Sequence, residues 1–447
     1  MSATQVSPAH AVDTPSGLGV IECRLPSHDE EPRSSCRPSH SNLTASCIAA
    51  FGETKRNTDS IVTDAGFAGY YDNVHPRQKT LIVQLILKAF QKLRCDVCRT
   101  KPGQRLRPIK CVPGVQRQLD FCYEMLAEAG LVRRESEKRN EHEKGEENEH
   151  EHGCYYVRTE TPLPPRAVDP GETLAHIVRD YPAYAALNKL VAHAGTNLAE
   201  IYAGRTDGVR SIFGSAEGRE YLEEIYGPAH PSKAFHGLME DFMGRFLEAV
   251  AAVPDGHDGP STTKQKKLNL LELGAGTGGT TKWLAPLLAG AARSGRVPAV
   301  EYTFTDLAHG FVSQAARRFA EYPFMTYRTQ DIERPPPADL AGTQDVVVAV
   351  NAVHATPDMV ESLRNLRRFL RPGGFALVME VQERLCWADF VFGLFEGWWV
   401  FGDGRTHATA DAGVWKAAFE AAGFRHVDWT GGELRDSGLQ RVFLATV

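Results

Sequence analysis

The stretch Leu271-Glu272-Leu273-Gly274-Ala275-Gly276-Thr277-Gly278-Gly279-Thr280 decides the fold. An apolar run from Leu268 to Leu273 breaks into a turn that glycine backbones allow to be sharp, and a helix can start behind it. Strand, glycine turn and helix open a parallel α/β sheet, with the turn exposed to a ligand. The turn alone does not name that ligand. Gly274, Gly276 and Gly279 also satisfy the spacing of a dinucleotide site. Glu272 tips the balance, because its carboxylate would repel a diphosphate and suits a cationic ligand with an amino-acid part.

Downstream, short β runs alternate with helical patterns: Tyr302 to Thr305, Asp345 to Val350 and Phe375 to Glu380. Asp306 ends the second strand, where an acid can hold both ribose hydroxyls. It lies 28 positions beyond Gly278, more than the usual ~20, and Gly290 to Pro298 accounts for the excess. Asp331, followed by Ile332, falls where a third strand should end, near the adenine edge. Each acid alone is an ordinary loop residue. Three acids at successive strand ends behind a glycine turn make a binding site.

Upstream the texture is helical. Ile82, Leu85, Ile86, Ala89, Phe90 and Leu93 recur at the spacing of an amphipathic helix. Leu119, Cys122, Tyr123 and Leu126 mark another that ends at Gly130. Strands at Leu131 to Arg133 and Tyr155 to Arg158 would complete a winged-helix-like segment. The hairpin tip, 135–152, carries eight glutamates against three Lys and Arg. Such an acidic wing argues against DNA binding and for a structural role. The domain plan is thus a disordered leader (1–44), a helical lid or substrate domain (45–253) holding the acidic insertion 135–152, a Gly/Pro/Lys-rich linker (254–267) and a ligand-binding catalytic domain (268–447).

Composition narrows the class. The 447 residues carry a net charge of −6, too acidic for a general nucleic-acid or anionic-membrane coat. No apolar run approaches the ~20 residues of a membrane span, and no secretory signal opens the chain, so a cytoplasmic location is expected. Nine scattered cysteines read as reduced thiols. Cys95 and Cys98 lack a second close pair, so no zinc site is expected.

At this point the sequence resembles a class I S-adenosylmethionine-dependent methyltransferase: Glu272-x-Gly-x-Gly-x-Gly278, Asp306, Asp331 and Leu370-Arg371-Pro372-Gly373-Gly374 follow that family's order. Asn351-Ala352-Val353-His354 and the stretch Glu396 to Arg405, with His75-Pro76-Arg77-Gln78 upstream, narrow the likeness. They resemble the C-methyltransferase domain of fungal non-reducing polyketide synthases, over about residues 46 to 447. The resemblance implies a seven-stranded Rossmann-like sheet with an N-terminal lid, S-adenosylmethionine as cofactor, and a polyketide substrate in secondary metabolism.

The chemistry follows from an activated methyl: the substrate must present a carbon nucleophile, and a carbon between two carbonyls needs one placed base. His354, after the fourth strand, and Glu380, at the end of the fifth, would emerge side by side at the ligand edge. From position alone they could equally be a loop histidine and a solvated strand end; the resemblance implies a catalytic dyad. Asn351 is placed to close the cofactor pocket. Tyr226 in the lid, the aromatic run Trp398, Trp399 and Phe401, and His407 are candidate substrate contacts, though aromatics at that density also build cores. No carrier motif is evident, so any acyl carrier protein belongs to a separate polyketide synthase and the chain acts in trans. O-methylation of a released phenol or acid, or a regulator that binds cofactor without turnover, are the rival readings.

Overall fold

The computed structural model describes residues 41–136, 154–163, 169–226, 229–252, 267–297 and 299–447. Most of the leader, the acidic insertion and the linker lie outside them. The helix Ser41–Arg56 takes in the last four positions of the leader.

Helix and hairpin form where the sequence places them. The helix Gln116–Glu128 ends at Gly130, whose φ of +71° is the left-handed closing conformation. Strands β1 (Val132–Ser136) and β2 (Cys154–Arg158) then pair antiparallel. Tyr123 of the helix stacks on Tyr156 of β2 at 4.0 Å between ring centres.

The main sheet has seven strands: β3 (Leu268–Leu273), β4 (Val300–Asp306), β5 (Met325–Thr329), β6 (Gln344–Val350), β7 (Leu370–Val381), β8 (His426–Trp429) and β9 (Gln440–Thr446). Their order is β5-β4-β3-β6-β7-β9-β8, with β9 antiparallel to both neighbours. Leu268, Leu270, Leu271 and Leu273 of β3 are all buried, the near-continuous apolar run of a strand covered on both faces. The chain winds outward from β3 to β5, then returns to β6 on the other side. The crevice at the β3/β6 reversal is where open α/β sheets bind ligands.

The helical region covers one face of this sheet. Phe242 and Phe246 of the helix His230–Ala251 meet Phe375 of β7 edge-on at 5.7 and 4.9 Å. Phe51 of the helix Ser41–Arg56 packs on Phe242 in turn. One hydrophobic core therefore runs from the N-terminal helices into the sheet. A second core lies under the opposite face, where Trp415 and Phe419 meet Phe443. Two aspartates cross between the regions in opposite directions. Asp59 accepts the Glu433 N–H (2.8 Å) and the Ser437 hydroxyl (2.6 Å), and Asp436 accepts the Gly69 (2.7 Å) and Tyr71 (3.0 Å) N–H groups. Among the described residues, no helix is long and apolar enough to cross a membrane, and no three metal-binding side chains cluster.

Candidate active site

A cavity of about 810 Å³ opens at the strand reversal. Its sheet side is the glycine turn with Glu272, Val350, Asn351 and Met379; its lid side includes Phe213, Tyr226 and His236. Gly274, Gly276 and Gly278 hold φ of +65°, +55° and +78°, a conformation that costs other residues roughly 1–2 kcal/mol each. A Cβ on Gly274 would also sit 2.6 Å from that of Ala352, in the loop after β6. A Cβ on Gly279 would lie 2.8 Å from the Tyr226 carbonyl oxygen, so the lid backbone rests directly on the turn.

The predicted acids divide. Glu272 lines the cavity, yet its Oε2 accepts the Thr281 and Tyr302 hydroxyls at 2.7 and 2.5 Å. Burial pushes its carboxyl up to about 7, against the pull of those bonds. Asp306 Oδ2 accepts the Gly276 N–H (2.9 Å) and Oδ1 the Ala308 N–H (2.8 Å), so the carboxylate braces the turn from behind. Asp331 accepts the Glu333 N–H at 2.9 Å, and Ile332 packs against the second core. Gly278, Asp306, Asp331 and Ile332 are not among the residues that line the cavity, nor are His354 and Glu380 beyond its edge. Asn351 does line it. It adopts a φ of +48°, and its buried Oδ1 has no hydrogen-bond partner among the described residues. On the lid side, burial raises the Tyr226 phenol to about 12, and burial with Lys282 nearby lowers the His236 imidazole to about 4. Both are neutral near pH 7.

Beyond Asn351 the chain makes one short turn and delivers His354. His354 Nδ1 and Glu380 Oε2 are 2.6 Å apart, both residues buried. The other carboxylate oxygen, Oε1, accepts three backbone N–H groups, from Ala352 (3.2 Å), Val353 (2.9 Å) and His354 (3.3 Å). Three N–H donors on one oxygen fix the carboxylate in place. Since Oε2 can only accept, the neutral ring carries its proton on Nδ1. No described group bonds Nε2, whose lone pair is free to take a proton.

The aromatic run forms a wall beside this pair. Trp398 lies 5.7 Å from the His354 ring, nearly perpendicular. Trp399 donates its indole N–H to the Gly393 carbonyl (2.8 Å). The guanidinium groups of Arg117 and Arg405 each lie 5.6 Å from the centre of the Phe401 ring. His407 is buried against Asp389, at 2.7 Å from Nε2. Sequence reasoning missed Arg405 as a functional residue. Its guanidinium donates to the carbonyls of His354 (3.1 Å) and Thr356 (2.6 Å), clamping the loop that bears the histidine. A Gly-Arg-Thr-His string two residues from an acid was the available sign. The lid residues Phe213 and His236 gave none, because only tertiary packing brings them to the turn.

Comparison with known proteins places the chain in a family. A family model described as "Methyltransferase, Helix-turn-helix domain" matches residues 52–138, and one described as "Methyltransferase domain" matches residues 271–376. The solved structure of the citrinin polyketide synthase CMeT domain is 34% identical, with a TM-score of 0.79 over 90% of this chain and 97% of that one. Among curated proteins, the non-reducing polyketide synthase pigA of Monascus ruber is 38% identical over 99% of the chain, and tazA of Aspergillus terreus 39% over 89%. The first alignment takes in the N-terminal stretch that the sequence reading left outside the resemblance. The chain spans only about 15% and 14% of those two synthases. The chain is a methyltransferase, and its cofactor is S-adenosylmethionine. The cavity fits that group: the open Asn351 Oδ1 awaits a donor, Glu272 is a carboxyl at the cavity wall that a bound cation would draw towards its ionised form, and the glycine turn lets a ligand approach the backbone.

Proposed function

The chain belongs to the C-methyltransferase domains of non-reducing polyketide synthases, and on that premise we propose that it methylates the carbon between the two carbonyls of a β-ketoacyl chain. His354 is the base, and Glu380 fixes its tautomer. The observation that carries this reading is the 2.6 Å Nδ1 to Oε2 contact, with Nε2 left over. The proton leaves the carbon for Nε2, and the electron pair stays behind in the enolate, which is the nucleophile. Glu380, held against Nδ1, stabilises the imidazolium that results; general-base catalysis of this kind contributes about 10²–10⁴-fold. Bound S-adenosylmethionine supplies a methyl group activated on a sulfonium. The glycine turn, Glu272 and Asn351 would hold it. Trp398 and the Arg405-clamped loop keep the imidazole in place and shield it from water.

The substrate in this reading is a polyketide carried on an acyl carrier protein. The acyl chain reaches the site on a carrier domain of a polyketide synthase. The test is direct. The protein is given methyl-labelled cofactor and a β-ketoacyl pantetheine thioester, and the label is located by mass spectrometry. Label on the α carbon is expected; label on oxygen alone would overturn the reading.

A further inference from the structure

A second buried histidine–carboxylate pair also packs against Trp398. His407 Nε2 is 2.7 Å from Asp389 Oδ1, and the Trp398 indole N–H donates to the same oxygen at 3.0 Å. The backbone N–H of Thr409 donates to His407 Nδ1 at 3.1 Å, which puts the ring proton on Nε2, facing Asp389. Both ring nitrogens are therefore occupied by protein, and His407 offers no free atom to a substrate. The ring of Trp398 stands 5.7 Å from His354 and 6.3 Å from His407, nearly perpendicular to each. Two residues before His407, Arg405 grips the carbonyls of His354 and Thr356. The short segment from Arg405 to Thr409 thus ties down both the loop of the base and the indole packed against it.

We propose that His407 and Asp389 are a positioning pair for the methylation base: they fix the Trp398 indole, and the indole fixes the face of the His354 ring. This role deepens the reading of His354 as base and rests on it. It also replaces substrate contact as the function of His407. Two features set it apart from a second acid–base centre. Only one oxygen of Asp389 takes both donors, while Oδ2 has no hydrogen bond among the described residues and faces the half-exposed Arg384 guanidinium at 3.6 Å. An amide in place of the carboxylate keeps the acceptor for both donors, with Arg384 free to turn towards solvent, and any donor that reaches the Nε2 position serves as well.

The experiment is a double-mutant cycle read by kcat on a β-ketoacyl pantetheine thioester, with cofactor affinity by titration calorimetry as the check on folding. His407→Leu and Trp398→Phe are each expected to lower kcat about 10-fold, and the double variant no further than the worse single, because both act through one contact. Losses that multiply to about 100-fold would overturn the proposal. His407→Gln, which reaches Asp389 but does not titrate, and Asp389→Asn are expected to stay within about 3-fold of wild type, on the same non-titrating logic. A folded His407→Gln protein as impaired as His407→Leu would show that titration matters and overturn positioning; this arm decides the matter even where His407→Leu fails to fold. Activity retained in His354→Ala would instead sink the base assignment, whatever the cycle shows.

Discussion

The pairs His354–Glu380 and His407–Asp389 share chemistry and burial but are wired differently. Glu380 uses both oxygens, one for the imidazole and one for three backbone N–H groups, and leaves Nε2 of its histidine open. Asp389 gathers two donors on one oxygen, and its histidine has no nitrogen to spare. The difference teaches that a buried His–carboxylate contact does not identify a base. What identifies it is the lone pair left over.

The sharpest way to break the comparison is at the ring itself. His354→Ala is expected to lower kcat by about 10² or more while cofactor affinity holds within about 3-fold, measured by single-turnover labelling and calorimetry. A smaller loss than that of His407→Leu would reverse the assignment of the two pairs.

The amide swap separates them next. A glutamine at 380 has one oxygen where two are needed, so either the loop amides or the Nδ1 proton loses its acceptor. Glu380→Gln is expected to cost about 10²-fold in kcat, since a ring in the wrong tautomer cannot serve as base. Asp389→Asn should be nearly silent in the same assay. Equal effects would mean that both carboxylates act through charge.

A third carboxylate gives the smallest effect. Glu380 is surrounded by N–H donors, whereas Glu272 is buried with two hydroxyls, and its pKa rises from 4.5 to about 7. The folded chain therefore holds a proton that the unfolded chain has released between about pH 4.5 and 7. This contribution is complete below about 4.5 and is lost as pH climbs through 7. His236, lowered from 6.5 to about 4, acts in the opposite sense: its contribution is complete above about 6.5 and is lost as pH falls through 4. In a His236→Gln background, Glu272→Gln is expected to flatten the decline in urea stability between pH 5 and 8 by roughly 1–3 kcal/mol. An unchanged slope would place the titrating group elsewhere.

These contrasts were only partly legible in the sequence. The buried strands were readable because a covered strand needs an unbroken apolar run, as in Leu268 to Leu273. The glycine turn was readable because positive φ selects glycine. His354 and Glu380 were readable once two strand ends were taken as neighbours. The direction of a carboxylate was not readable. Asp306 sits at its expected strand end, yet both its oxygens face backbone amides, a choice made by the curl of the turn and not by residue type. His407 looked like a substrate contact because a sequence does not show that both ring nitrogens are taken. The lid's share of the cavity was hidden for a similar reason, since Phe213 and His236 reach it only through helix packing.

The exchanged aspartates, Asp59 and Asp436, bear on how such a catalyst could be moved between proteins. Each reaches across to hold the other region's backbone, and Phe375 of the sheet lies under Phe242 and Phe246. Cutting at the start of β3 would strip that face bare and leave two sets of amides without acceptors. A transplant therefore has to carry the N-terminal helices together with the sheet. A chimera that swaps the cofactor half alone inherits an exposed apolar sheet, which is a template for aggregation before it is an enzyme.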